Sequence, residues 1–211
     1  EDDQLDKFCD AIMPLDWVEP KNFDSVSFCI ATNASKVEKT KSVISSLQSQ
    51  ITTKKIEIIV CGVIEPFKEL ESDIVKLIDA SDTANTGHLA ELRNISGKHS
   101  SGDVICWIDD DMLFPPGWLW QLETFSNHEG WDVVGNKIGN PDGSRFWDRS
   151  LQNPHVLVPY THSCLDKRLY QTGGFWVVRR HVFEEHEWDG SLLIYADKNQ
   201  GRPNEDIEYS T

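Results

Sequence analysis

Apolar residues follow two rhythms along this chain. Apolar runs rich in β-branched residues, interrupted only by Ser27, Glu57 and Lys76, occur at Val26-Ser27-Phe28-Cys29-Ile30-Ala31, Ile56 to Val60, Ile74 to Ile78, Val104 to Ile108 and Gly174 to Val178. Runs of this length predict strands, and those without polar alternation predict strands covered on both faces. Between the first two, Val37, Ile44, Leu47 and Ile51 recur at helical spacing and form one apolar face. Ser35-Lys36-Val37-Glu38 ahead of that face fits a capping box, with Ser35 as the N-cap and Glu38 reaching back. A short helix carrying Leu89, Leu92, Arg93 and Ile95 follows Gly87, and residues 118–125 form another. Weaker signals predict strands at Trp131 to Val134 and Val156 to Val158, and a helical turn or two at Val182 to His186. Asn204 opens a further helix with Glu205 and Asp206 in its first turn, where carboxylates suit the dipole.

The order β-α-β-β-α-β in the first half favours an α/β sandwich with a largely parallel sheet. Residues 1–24, acidic and broken by Pro14 and Pro20, read as an arm packed on the domain through Phe8, Ile12, Leu15 and Trp17. Residues 25–211 then form a single domain, with a loop-rich insertion over 144–172. In open α/β sheets, ligands bind outside the carboxyl ends of the strands. Ala31-Thr32-Asn33, Cys61-Gly62 and Asp109-Asp110-Asp111 all fall at such ends.

The last of these carries the most chemistry. Three adjacent carboxylates repel one another and resist burial unless something neutralises them. Oxygen ligands of this kind suit Mg²⁺ or Mn²⁺. The bland alternative is a solvated acidic turn before Pro115-Pro116-Gly117.

Composition narrows the partners. Twenty basic and thirty-five acidic residues give a net charge of −15, a surface that repels nucleic acid and anionic membranes. A phosphate-bearing ligand would need a metal or a locally basic pocket. No apolar run is long enough for membrane insertion, and no signal-peptide pattern opens the chain. Five cysteines in no metal or redox spacing point to buried thiols, a reducing compartment and a cytoplasmic location. Eight tryptophans are many for 211 residues; they either line a carbohydrate site or pack the core. The chain begins at Glu1, as expected for a piece of a larger protein.

Taken in order, the blocks at 93–111 (Arg93-Asn94, then Gly102-Asp103-Val104-Ile105, then Ile108-Asp109-Asp110-Asp111), at 173–180 (Gly173-Gly174-Phe175-Trp176-Val177-Val178-Arg179-Arg180) and at 205–208 (Glu205-Asp206-Ile207-Glu208) are similar to those of GT-A glycosyltransferases of the family 2 type. The resemblance covers roughly residues 25–211. It implies the GT-A nucleotide-diphospho-sugar transferase fold, a three-layer α/β/α sandwich. It also implies transfer of a sugar from a nucleotide-diphosphate donor, UDP-linked by preference, to a glycan or other hydroxyl acceptor, with Mn²⁺ or Mg²⁺ as cofactor.

Roles carry over residue by residue. Asp111 would coordinate the metal, and Asp109 would face the ribose or a metal-bound water. Asp110 would flank them at the donor or be solvated filler. Arg93 would pair with Asp109 or a phosphate, or else form a surface salt bridge. Ala31, Thr32 and Asn33 would line the donor site, and Gly173 and Gly174 would let a sugar approach the backbone. Trp176 and Trp147 are candidate acceptor platforms, with core packing the alternative. Asp206 would act as the base of an inverting displacement, with Glu205 as fallback or acceptor partner. Where relatives carry an acidic D-D-G-S, this chain has Val60-Cys61-Gly62-Val63-Ile64-Glu65, so either Glu65 substitutes as the base-reading carboxylate or backbone groups read the base. A nucleotidyltransferase is the alternative enzyme, disfavoured because Ala31-Thr32-Asn33-Ala34-Ser35-Lys36 lacks glycine. A non-catalytic nucleotide- or carbohydrate-binding domain is the third reading.

Overall fold

A computed structural model describes residues 21–151, 156–159, 169–171 and 174–192. Residues 1–20 of the predicted arm, including Phe8, Ile12, Leu15 and Trp17, the helix at Asn204 and the Glu205-Asp206 pair lie outside the described residues.

The chain forms a mixed α/β domain on a mostly parallel sheet. Strands β1 (Ser25–Thr32), β2 (Lys55–Gly62), β3 (Val75–Asp79) and β4 (Val104–Asp109) run parallel. Strand β9 (Phe175–Arg179) is antiparallel to β4, and the short β5 (Val133–Val134) closes the edge, for the order β3-β2-β1-β4-β9-β5. A small antiparallel sheet of β6 (Arg149–Leu151), β7 (Val156–Leu157) and β8 (Leu169–Gln171) gives the loop-rich region its frame.

Period-two alternation decides which residues face which layer. Phe28, Ile30, Ile58, Val60, Cys106, Ile108, Phe175 and Val177 cluster with Val43, Ile44 and Leu47 of helix α1 (Val37–Gln48) and with Leu119 and Leu122 of α4 (Trp118–Ser126). Their alternates Cys29, Ile59, Ile105, Trp107, Trp176 and Val178 meet Ala90 of α3 (Leu89–His99), Phe183 of α5 (Arg180–Glu185) and Trp188. Both sheet faces are therefore covered, as near-continuous apolar runs require.

Most described tryptophans belong to this packing. Trp107, Trp118, Trp131, Trp176 and Trp188 are buried, while Trp120 and Trp147 are the exposed ones. Cys29, Cys61 and Cys106 are free, buried thiols, and burial pushes the Cys61 thiol up to about 12. No helix among the described residues is long and apolar enough to cross a membrane.

Two local departures bear on the site. The helix α1 begins one residue later than the capping box predicts: Lys36 is its N-cap, with no side-chain cap bond. The Ser35 amide instead donates to Asn33 Oδ1 at 3.0 Å, an Asx turn that outcompetes the cap. A short helix not foreseen in the sequence, α2 (Ser81–Thr86), stands between β3 and α3 and ends on Gly87 in the left-handed conformation (φ 81°).

Candidate functional site

The carboxyl ends of β1 and β4 lie side by side, with Ala31 in register with Asp109. Beyond them the chain turns away from the sheet in two linked loops. Thr32 joins the loops: its hydroxyl donates to Asp110 Oδ2 at 2.8 Å and accepts the Ala34 amide at 3.0 Å. Ala34 then takes a left-handed conformation, φ 59°, which costs a residue with a Cβ of order 1–3 kcal/mol. That turn and the Asx turn at Asn33 aim Lys36 back over the end of β4.

The three aspartates occupy different surroundings. Asp109 ends β4, and its amide donates to the Gly174 carbonyl at 3.0 Å. Its Oδ2 lies 3.2 Å from where a Cβ on Gly174 would sit, so the missing side chain at 174 makes room for this carboxylate. Asp110 is buried against Thr32, which excludes the reading of it as solvated filler. Asp111 faces outward and meets two ammonium groups, Lys36 Nζ at 2.9 Å and Lys39 Nζ at 3.5 Å. The Lys36 hydrogen bond, aided by the charge of both lysines, holds the Asp111 carboxyl below its usual range. The same bond raises the Lys36 ammonium.

A cavity of about 480 Å³ opens beside these loops. Ala31, Thr32, Asn33, Asp109 and Asp110 of the predicted set line it, together with Ser35 and Lys36. Its far wall is Ala84, Asn85, Thr86, Gly87, Leu89 and Leu92, from α2 and α3. Ser35, Lys36 and the whole far wall from α2 and α3 are lining residues that the sequence reading missed. The glycine that caps α2 was the available signal, since a turn between two short helices at a strand end forms a pocket wall.

Several predicted residues stand elsewhere. Trp176 is not an acceptor platform: it is 2% exposed on β9 and packs edge-on to Trp188, with ring centroids 5.4 Å apart. Trp147 is 36% exposed, which overturns core packing for it, but it is not among the cavity-lining residues. Arg93 is not on the helix surface; it is 2% exposed, with its guanidinium carbon 4.4 Å from the Trp188 ring centroid. Its carbonyl accepts the Trp107 indole N–H at 2.9 Å. Glu65 starts a 3₁₀ turn (Glu65–Leu70), is exposed, and pairs with Lys68 at 2.5 Å away from the cavity lining. Gly174 faces Asp109, so the group that approaches its backbone is this carboxylate. Gly173, Glu205 and Asp206 lie outside the described residues.

A divalent ion asks for hard oxygen ligands close together. Among the described residues no three potential ligand side chains converge. Mg²⁺ and Mn²⁺ commonly take only one or two carboxylates, with substrate phosphates and water completing the shell. Asp109 and Asp111 supply hard oxygens of that kind, and the two ammonium groups on Asp111 mark a point that demands positive charge. The residues present fit such an ion.

The profile of glycosyl transferase family 2 matches residues 28–187. The chain belongs to that family. It is thus a glycosyltransferase domain, and its mostly parallel sheet is that of the GT-A enzymes. No curated protein matches it in sequence. Among solved structures, TarS of S. aureus, residues 1–349, matches with TM-score 0.59 and 16% identity over 82% of this chain and 53% of that one. The same TarS fragment is known in complex with UDP, with TM-score 0.60. The mannosyltransferase PcManGT from Pyrobaculum calidifontis, in complex with GDP-Man and Mn²⁺, matches with TM-score 0.58 and 12% identity over 98% of this chain and 56% of that one. The chain thus spans about half the length of these structures, and at such identities they show a shared fold.

Proposed function

We propose that this domain moves a sugar from a nucleotide-diphosphate donor, UDP-linked by preference, to a hydroxyl acceptor with inversion at the anomeric carbon. The observation that carries this reading is the cavity at the carboxyl ends of β1 and β4, edged by Asp109 and Asp110 and roofed by Lys36. An acidic protein binds a diphosphate only where positive charge is supplied locally. Here Lys36 supplies one such charge, and Asp109 and Asp111 would hold a divalent ion that supplies more. When bound, that ion would act as a Lewis acid on the leaving diphosphate.

The chain's own residues would do the rest. Thr32 and Asn33 would bound the nucleotide side of the cavity, and the Asn85-Thr86-Gly87 turn the opposite wall. Asp206 would accept the proton of the attacking hydroxyl, with Glu205 positioning the acceptor. Glycosyl transfer to a hydroxyl requires such a base at the moment of attack. Structures of relatives bound to UDP, and to GDP-Man with Mn²⁺, support the donor class and the cofactor.

The test is donor hydrolysis. The protein is incubated with Mn²⁺ and a panel of UDP-, GDP- and dTDP-sugars, and nucleoside diphosphate release is measured with and without EDTA. Release from one donor, abolished by EDTA and by Asp111→Asn, is the expected result and names the sugar. Silence across the panel, with no nucleotide binding, would overturn the assignment for this domain.

A further inference from the structure

Lys36 is an unusual residue for its place. A helix N-terminus carries partial positive charge, and an N-cap favours Ser, Thr, Asp or Asn, whose oxygen accepts a free amide. A lysine there gives the helix no cap bond and adds like charge to the dipole. Its compensation lies across the cavity mouth, where its ammonium sits 2.9 Å from Asp111 and 3.8 Å from Asp110. The backbone that presents it is tied to the same acidic loop through Thr32, and is held in a left-handed turn at Ala34. Nearly half of its side chain is exposed, so the ammonium is free to swing on its four-carbon stem. It is placed for the aspartates and the cavity rather than for the helix.

Resting on the function proposed above, we infer that Lys36 is an exchangeable counter-cation of the aspartate cluster, which leaves Asp111 when a divalent ion takes that carboxylate and then pairs with the diphosphate of the donor. The argument is electrostatic. An ammonium at 2.9 Å and a divalent ion compete for one carboxylate and repel each other. Once displaced from Asp111, Lys36 remains on the cavity wall with only the longer contact to Asp110 at 3.8 Å, and the nearest large anion to enter is the diphosphate. Binding of the ion and of the nucleotide are therefore coupled through one side chain, and the coupling is reciprocal. Lys39, 3.5 Å from Asp111 but not part of the cavity wall, shares the first role and lacks the second.

Two measurements on the full chain test this. Free Mn²⁺ is counted by electron paramagnetic resonance during titration without nucleotide, and UDP and GDP are titrated calorimetrically at saturating Mn²⁺. In Lys36→Met, Mn²⁺ alone should bind tighter, by roughly two- to fivefold as fits loss of a partly exposed ion pair. UDP or GDP should bind at least about tenfold weaker, as fits loss of a charge-assisted bond to phosphate. Lys39→Met should tighten Mn²⁺ and leave the nucleotide unchanged. Both lysines are exposed enough that the variants should keep the wild-type circular dichroism and melting temperature. If Mn²⁺ binds Lys36→Met no tighter than wild type, or the nucleotide binds both equally, the inference falls while the proposed function stands. If wild type binds neither Mn²⁺ nor nucleotide, both fall.

Discussion

Gly62 shows how closely a single residue packs against the backbone of the cavity-lining Thr32. It ends β2 at φ 126°, and a Cβ there would lie 2.0 Å from the Thr32 carbonyl oxygen. The same carbonyl accepts the Val63 amide at 3.0 Å, so Thr32 cannot retreat without losing a bond. Gly62→Ala should therefore destabilise the fold by about 3 kcal/mol or more, combining backbone strain with a buried clash. Urea denaturation would show it as a lower midpoint with unchanged slope. Gly174 poses a gentler case, because its neighbour is a carboxylate end at 3.2 Å and not backbone. Gly174→Ala should leave stability within about 1 kcal/mol of wild type. It should lower donor hydrolysis, since Asp109 must move by a few tenths of an ångström, and equal turnover in both proteins would contradict a role for Asp109. The aspartates were legible in the sequence because a buried strand running into three carboxylates has few structural explanations. Trp176 was misread for the opposite reason: an aromatic beside two glycines looks the same whether it stacks on a sugar or, as here, packs edge-on to Trp188.

At the scale of elements, the amino ends of the parallel strands are joined as firmly as their carboxyl ends are open. Glu57 on β2 accepts hydrogen bonds from the Ser27 hydroxyl on β1 and from the amide and hydroxyl of Ser101 ahead of β4. It also meets Lys76 Nζ on β3 at 2.6 Å. Burial alone would raise its pKa; Lys76 and the serine donors more than reverse that and bring it down to about 2, from 4.5. A carboxylate whose folded pKa is depressed stabilises the fold above its unfolded pKa. That stability should be lost as pH falls from about 4.5 towards about 2. Melting temperature against pH should drop across this window in wild type and more shallowly in Glu57→Gln. Parallel curves would refute the network. Sheet strands were easy to read because burial on both faces leaves near-continuous apolar runs. The start of α1 and the whole of α2 were not. Each depends on turn chemistry, in which Asn33 accepts the Ser35 amide that the capping box assigns to Glu38, and a helix of six residues has no periodic face to display.

For the whole molecule, the net charge of −15 sets a long-range field whose sign is opposite to what a diphosphate needs and suited to a divalent cation. Local and global electrostatics therefore divide the work. The field gathers cations around the protein, while Lys36 and Lys39 compete with them at the one carboxylate that matters. The −15 was visible from composition; that two lysines at the start of α1 close over Asp111 was not, because it depends on how the β1–α1 turn folds back across β4. Salt should separate the two contributions. Screening acts fully over distances beyond the Debye length, about 10 Å at 0.1 M, and weakly on contacts inside the cavity mouth. Mn²⁺ affinity should thus fall several-fold between about 20 mM and 300 mM monovalent salt, in both wild type and Lys36→Met. The gap between the two proteins should narrow much less than either affinity falls, because it arises from a contact of 2.9 Å. A gap that closes at high salt would mean that Lys36 acts only as part of the general surface charge, and not as the cation seated on Asp111.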